Sequence, residues 1–212
     1  MERSKRSLIL GAVIIIIFHL VGFTGFQFSE TRPLFERLVP MNLLLSLGIL
    51  VWFHKPKNRN WLAFAVTTTA MGYFIEVLGV QSGIIFGEYA YDSALGPKVW
   101  GVPPMIGINW LMLTYAAGII TKSFPLNKIM QILLGACMMV CVDILIEPVA
   151  IEYNFWHWEK PEVPVQNYIS WGIMAVVLLA LFHRVPQKTH NPVAVIFFIT
   201  QIMFFGAFWI SG

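Results

Sequence analysis

Three carboxylates lie inside apolar runs of this sequence: Glu76, Asp143 and Glu147. An acid in hydrocarbon is costly, so an intramembrane carboxylate is a functional candidate by default. Asp143 and Glu147 are four residues apart, on one helical face, and Pro148 follows them. Their stretch, residues 143–158, leaves the apolar run through Tyr153, Phe155, Trp156 and Trp158. Two carboxylates sharing a low-dielectric face cannot easily both ionise, and one that stays protonated can serve as a general acid. The structural alternative is a pair hydrogen-bonded to Asn, Trp or Tyr that fixes helix packing. Glu76 reads either as a third member of the site or as an interfacial glutamate reaching water. His19, in the middle of the first apolar run, reads as a hydrogen-bonded packing residue. His157, beside the two exit tryptophans, is a candidate proton shuttle. His54, His183 and His190 read as residues of the opposite face without a role.

Other chemistries lack their residues. Three carboxylates alone could hold Mg²⁺, but a metal site would need a closer cluster, and no Asp-rich motif for binding diphosphate is present. There is neither a phosphate-binding loop nor a dinucleotide fingerprint. A retinal protein would need a Schiff-base lysine in the last span, and residues 192–210 contain none. Cys137 and Cys141, one helical turn apart, have poor geometry for a disulfide and read as packing thiols. What remains is chemistry done by carboxylic acids, aromatic faces and water on a substrate at home in the bilayer. Protonation of an isolated alkene fits. A buried acid gives its proton to a trisubstituted double bond, and the tertiary cation is stabilised by aromatic faces and by the carboxylate left behind. Water then adds, or a second double bond attacks and closes a ring. Neither route uses a cofactor.

The elements that must position these groups are membrane helices. The chain has 212 residues, of which 58% are hydrophobic and 12% charged, against roughly a quarter charged in soluble domains. A span needs about 20 mostly apolar residues. Residues 7–28, 34–53, 61–79, 104–121, 128–151, 167–182 and 192–210 qualify or come close. They predict an all-α polytopic bundle of about seven transmembrane helices, forming one membrane-embedded unit over residues 1–212. The basic N-terminus leads into an apolar run without a convincing cleavage site, so it predicts an uncleaved first span.

With the N-terminus in the cytoplasm, the inner ends hold Arg3, Lys5, Arg6, Lys55, Lys57, Arg59, Lys122, Lys128, Arg184 and Lys188, and the outer ends hold only Arg32, Arg37, Lys98 and Lys160. That asymmetry fits the positive-inside rule and a multi-pass protein of the cell membrane. Glu76 and Glu147 then fall near the outer ends of the third and fifth spans, with Asp143 about 6 Å deeper than Glu147. Asn42, Asn109 and Asn167 lie toward the same side. So do Trp100, Trp110, Trp156, Trp158, Trp171 and Trp209, which leaves only Trp52 and Trp61 for the inner face. The long outer connection after the third span, with Tyr89 and Tyr91 alternating with Glu88, Ala90 and Asp92, reads as a short hairpin or cap over the bundle.

The run SGIIFGEYAYDSALGPKVWGVPPMIGINW carries Gly83, Phe86, Gly87, Tyr89, Tyr91, Leu95, Gly96, Pro97, Gly101, Val102, Pro103 and Trp110. A second set follows: Asp143, Glu147, Pro148, Trp156, Trp158, Pro164, Asn167 and Trp171. In order and spacing, these residues resemble the signatures of the carotenoid 1′,2′-hydratase family, which includes the bisanhydrobacterioruberin hydratases. The sequence departs from that pattern at Glu147, where Asp is usual, at Gly107, where Pro is common, and at Ser170, where Gly precedes the Trp.

The resemblance implies water addition across the terminal C1′–C2′ double bond of an acyclic carotenoid end, giving a tertiary alcohol without a cofactor. It implies Asp143 or Glu147 as proton donor, with Glu76 as a further candidate. Tyr89, Tyr91, Trp110, Trp156, Trp158 and Trp171 would line the substrate, while Asn109 and Asn167 hold water. The expected partners are a carotenoid in the bilayer, such as lycopene or γ-carotene, water and other carotenoid-pathway enzymes, with no nucleic acid. The alternatives are a membrane lycopene-type cyclase, which would use similar acids but exclude water, and a non-enzymatic carotenoid- or lipid-binding protein.

Overall fold

The computed structural model describes residues 2–185 and 190–211. Lys188, counted above among the inner-face basic residues, lies outside them, as does the side chain of Arg3. The described residues form seven helices: α1 (Glu2–Gln27), α2 (Arg32–Phe53), α3 (Arg59–Ser82), α4 (Met105–Lys122), α5 (Lys128–Glu152), α6 (Val165–Arg184) and α7 (Pro192–Ser211). Two three-residue strands, β1 (Tyr89–Tyr91) and β2 (Trp156–Trp158), sit in the connections after α3 and α5. Local signals set the boundaries. Asn58 and Asn127 cap α3 and α5 by accepting the Trp61 and Met130 backbone N–H groups, each at 2.9 Å. Gly83, at φ 64°, ends α3 in the left-handed conformation.

Among the described residues, six helices are long and apolar enough to cross a membrane by length and composition: all but α4. Helix α4, with 18 residues, is buried along nearly its whole length and packs against α2, α3, α5, α6 and α7. It is the axis of the bundle, and small residues let its neighbours close on it. A Cβ on Gly107 would stand 2.6 Å from the Thr69 carbonyl oxygen of α3, and one on Gly118 would stand 2.5 Å from the Phe182 ring of α6. Gly107, one of the family departures, is therefore required by the α3–α4 approach. Cys137 and Cys141 are exposed on α5 rather than packed, because the buried face of that helix runs through Gly135, Met139, Val142, Asp143 and Ile146.

Successive helices alternate in direction. One end carries both strands and the contact between the α1–α2 turn and the end of α5, where Arg32 lies 4.8 Å from the Tyr153 ring and 3.6 Å from Glu152. At the opposite end, the buried His54, Tyr115 and Asn191 tie α2, α4 and the start of α7 together. His54 Nε2 lies 3.1 Å from the Pro56 carbonyl, which can only accept. Nε2 therefore carries the hydrogen, and Nδ1 accepts from the Tyr115 hydroxyl at 2.8 Å. Burial pushes the His54 pKa down to about 4, consistent with a neutral ring.

The long connection after α3 is not a hairpin on itself. Strand β1 pairs antiparallel with β2, matching Tyr89 to Trp158, Ala90 to His157 and Tyr91 to Trp156. The cap is thus built from two connections, each contributing one strand, and further bonds pin it down. Lys98 donates to the Tyr91 carbonyl at 2.7 Å, Tyr73 to the Val99 carbonyl at 2.7 Å, and Ser170 to the Ile85 carbonyl at 2.5 Å. Gln166 donates to the Ile84 carbonyl.

Candidate active site

Alternation along a strand sends successive side chains to opposite faces. In the cap, the inward face consists of Tyr89, Tyr91, Trp156 and Trp158. The outward residue His157 is exposed and pairs with Asp92 at 2.9 Å. His157 is therefore on the wrong face to shuttle protons to the buried acids; it ties the two cap segments on the outside.

Under the inward face, Glu76 from α3 and Asp143 and Glu147 from α5 all border one small space, and all three are buried. Glu76 is the most heavily bonded acid. Its Oε2 accepts the Tyr89 hydroxyl at 2.5 Å and the Tyr91 hydroxyl at 2.8 Å, and its Oε1 accepts the Trp110 indole N–H at 2.9 Å. Burial first, and the neighbouring Glu76 carboxylate second, hold both tyrosine hydroxyls well above the ordinary range, so they remain donors. On the other side, Glu147 Oε2 accepts the indole N–H groups of Trp156 at 3.0 Å and Trp158 at 2.9 Å. The Asn167 amide bridges the remaining acids, 3.0 Å from Asp143 Oδ2 and 3.3 Å from Glu147 Oε1. Trp171 stacks on Trp110, with ring centroids 3.9 Å apart.

Glu76, Asp143, Glu147, Tyr89, Tyr91, Trp110, Trp156, Trp158, Asn167 and Trp171 therefore border one nest, and Asn109 reaches it from α4; of the candidates for chemistry, His157 does not. Of the two readings of Glu76, the structure selects the one that groups it with Asp143 and Glu147 over the one that puts it at a water interface. Five of the aromatic residues, Tyr89, Tyr91, Trp110, Trp156 and Trp158, meet the acids through polar edges, as donors, rather than only presenting π faces.

The nest has about 20 Å³ of free space, room for about one water. Beside it lies a cavity of about 410 Å³, lined mainly by apolar side chains of α1, α2, α4, α5 and α7. Ile106, Asn109, Ile146 and Trp156 border both spaces. At the far side of the larger cavity, His19 donates from Nδ1 to the Ile15 carbonyl at 2.8 Å and accepts the Gln201 amide at Nε2, also at 2.8 Å. This pair joins α1 to α7, in agreement with a packing role for His19. The sequence reading missed the cavity. Its walls include Phe18, Phe26, Phe35, Met41, Phe204 and Phe205, which look like any lipid-facing residues of a span.

Fold and site together define a membrane-spanning helical protein with a closed nest of carboxylates beside an apolar slot. The chain belongs to the carotenoid biosynthesis protein family, whose sequence profile matches residues 38–211. It is 31% identical over 150 residues to bisanhydrobacterioruberin hydratase of Haloarcula japonica; the match covers 67% of this chain and 50% of that protein. The chain thus spans about half the length of the curated relative it matches. No solved structure matches it.

Proposed function

We propose that this protein is a hydro-lyase of carotenoid biosynthesis that adds water to the terminal C1′–C2′ double bond of an acyclic carotenoid end, with Asp143 as the proton donor. One observation carries the reading. Asp143 is a buried acid with a single shared amide partner, facing a one-water space that abuts an apolar slot.

The choice of Asp143 rests on hydrogen-bond chemistry. A carboxylic acid must donate its own hydrogen, whereas indole and amide N–H groups can only donate. The partners of Glu147 are all N–H groups, and Glu76 is engaged by two hydroxyls and an indole. Both shells suit a carboxylate. Asp143 meets one amide N–H on Oδ2, leaving its other oxygen for a proton directed at the nest.

The terminal alkene would sit at the shared wall of Ile106, Asn109, Ile146 and Trp156. Asp143 gives its proton to C2′, and the positive charge settles on the tertiary C1′. The Trp156 ring and the new Asp143 carboxylate stabilise that cation. A water held at Asn109 and Asn167 forms the C1′–O bond and returns a proton to Asp143. The product is a tertiary alcohol, the acid is regenerated, and no electrons are exchanged with a cofactor. The relative is named as a hydratase, and that name and the family match support this class of reaction.

The test is the product mass in a host that accumulates lycopene or γ-carotene. Hydration adds one water and is expected. A cyclic isomer of unchanged mass would indicate a cyclase, and unchanged pigment a binder; either result overturns the proposal.

A further inference from the structure

The wall of the larger cavity is incomplete on one side. Phe18 and Val21 of α1 and Met41 of α2 line it, yet they are 49%, 52% and 65% exposed. The cavity is open rather than enclosed, and these three exposed side chains are on its rim. Helices α1 and α2 close on each other at both ends. A Cβ on Gly25 would stand 2.1 Å from the Phe35 ring near the cap, and one on Gly11 would stand 2.7 Å from the Phe53 ring at the other end. Phe18 and Val21 lie between Gly11 and Gly25, and Met41 lies between Phe35 and Phe53. The opening is therefore a side window facing lipid within the spans, not a mouth at either aqueous face.

The route from above is closed to an apolar chain by the paired strands and their anchoring bonds. The cavity, at about 410 Å³, is near the small end of the roughly 300–1,000 Å³ range of drug-sized ligand sites. It holds the end of a long polyene and not its full length. Lateral passage also spares an apolar molecule the unfavourable transfer through water.

We propose that the window between α1 and α2 admits one end of an acyclic polyene directly from the bilayer, while the rest of the molecule stays in lipid. The inserted end reaches the wall shared with the carboxylate nest. This inference rests on the hydration reading for the identity of its ligand. It adds the route, the tail-out binding mode and a role for α1, a helix outside the family match.

The experiment plugs the window with Val21→Trp and Met41→Trp together, and uses Leu44→Trp as a control. Leu44 is on the lipid face of α2 but does not line the cavity. All three positions face lipid, so added bulk leaves the packed core untouched, which matching melting temperatures without ligand would verify. Two readouts are taken on full-length protein in lipid nanodiscs: conversion of lycopene, and the rise in Tm on adding lycopene. The plugged variant is expected to lose about tenfold or more in conversion and to lose the lycopene-dependent rise, with the control unchanged. Wild-type conversion in the plugged variant overturns the window. If the unmodified protein hydrates nothing, the hydration reading fails by itself and the Tm arm decides the window. In that case, a rise absent from the unmodified protein, or undiminished in the plugged one, overturns it.

Discussion

Asp143 differs from its two neighbours in what surrounds it. Glu76 and Glu147 are each met by three donors, while Asp143 has one amide shared with Glu147. Asp143→Asn preserves size and removes the proton. Conversion should fall by about a hundredfold or more, the usual worth of a general acid, with Tm near wild type; both are read on the same purified protein. Glu147→Gln sets a new amide N–H against that of Asn167 and should lower both conversion and Tm. Glu76→Leu behaves differently again. It strands the Tyr89, Tyr91 and Trp110 donors in a buried site, with an expected loss of about 3 kcal/mol or more. A thermal melt showing Glu76→Leu as stable as wild type would remove its structural role. Metal chemistry is disfavoured at this scale by the donor set, since hydrogen-bond donors already engage both oxygens of Glu76 and of Glu147. Prolonged treatment with a chelator should leave conversion unchanged.

At the scale of elements, the cap turns three-residue strands into a working surface. Pairing of β1 with β2 places two tyrosines and two tryptophans on one face, while Ala90 and His157 take the other. The cap's bend depends on Gly87, at φ 113°, where a Cβ would lie 2.8 Å from Pro164. Gly87→Val should therefore lower Tm and reduce conversion, because it displaces Tyr89 from Glu76 and Trp158 from Glu147. A variant with wild-type turnover would show that strand register does not matter to the site. Helix α4 offers a second check: Gly107→Ala pushes against the backbone of α3, with an expected cost of about 1–3 kcal/mol, read as a lower Tm.

At the scale of the whole molecule, the acidic residues Glu30, Glu36, Glu88, Asp92, Glu152, Glu159 and Glu162 belong to the cap end, and Lys55, Lys57, Arg59, Lys122, Lys128 and Arg184 to the other. The positive-inside rule predicts that the cap faces outward. A cysteine at Glu162, in a chain carrying Cys137→Ala and Cys141→Ala, should react with a membrane-impermeant maleimide on intact cells. A cysteine at Lys57 should react only after lysis. The reverse pattern would place the nest on the cytoplasmic side.

The bundle, the number of helices and the three intramembrane acids were legible in the residue order. Each of these depends on local properties: apolar run length, charge at the helix ends, and the rarity of carboxylates in hydrocarbon. Residue order does not say what the aromatics do, because an indole that stabilises a cation and one that donates to a carboxylate are the same letter. Packing in three dimensions is what pairs β1 across to β2, turns His157 away and puts Glu76 at the centre. These outcomes depend on register between segments more than sixty residues apart, as in Tyr91 to Trp156. The apolar slot was illegible for a related reason. In a membrane protein, a residue facing lipid and one facing a ligand cavity obey the same hydrophobic rule. Helix packing alone separates Met41, at the window, from Leu44, one turn further along the same helix.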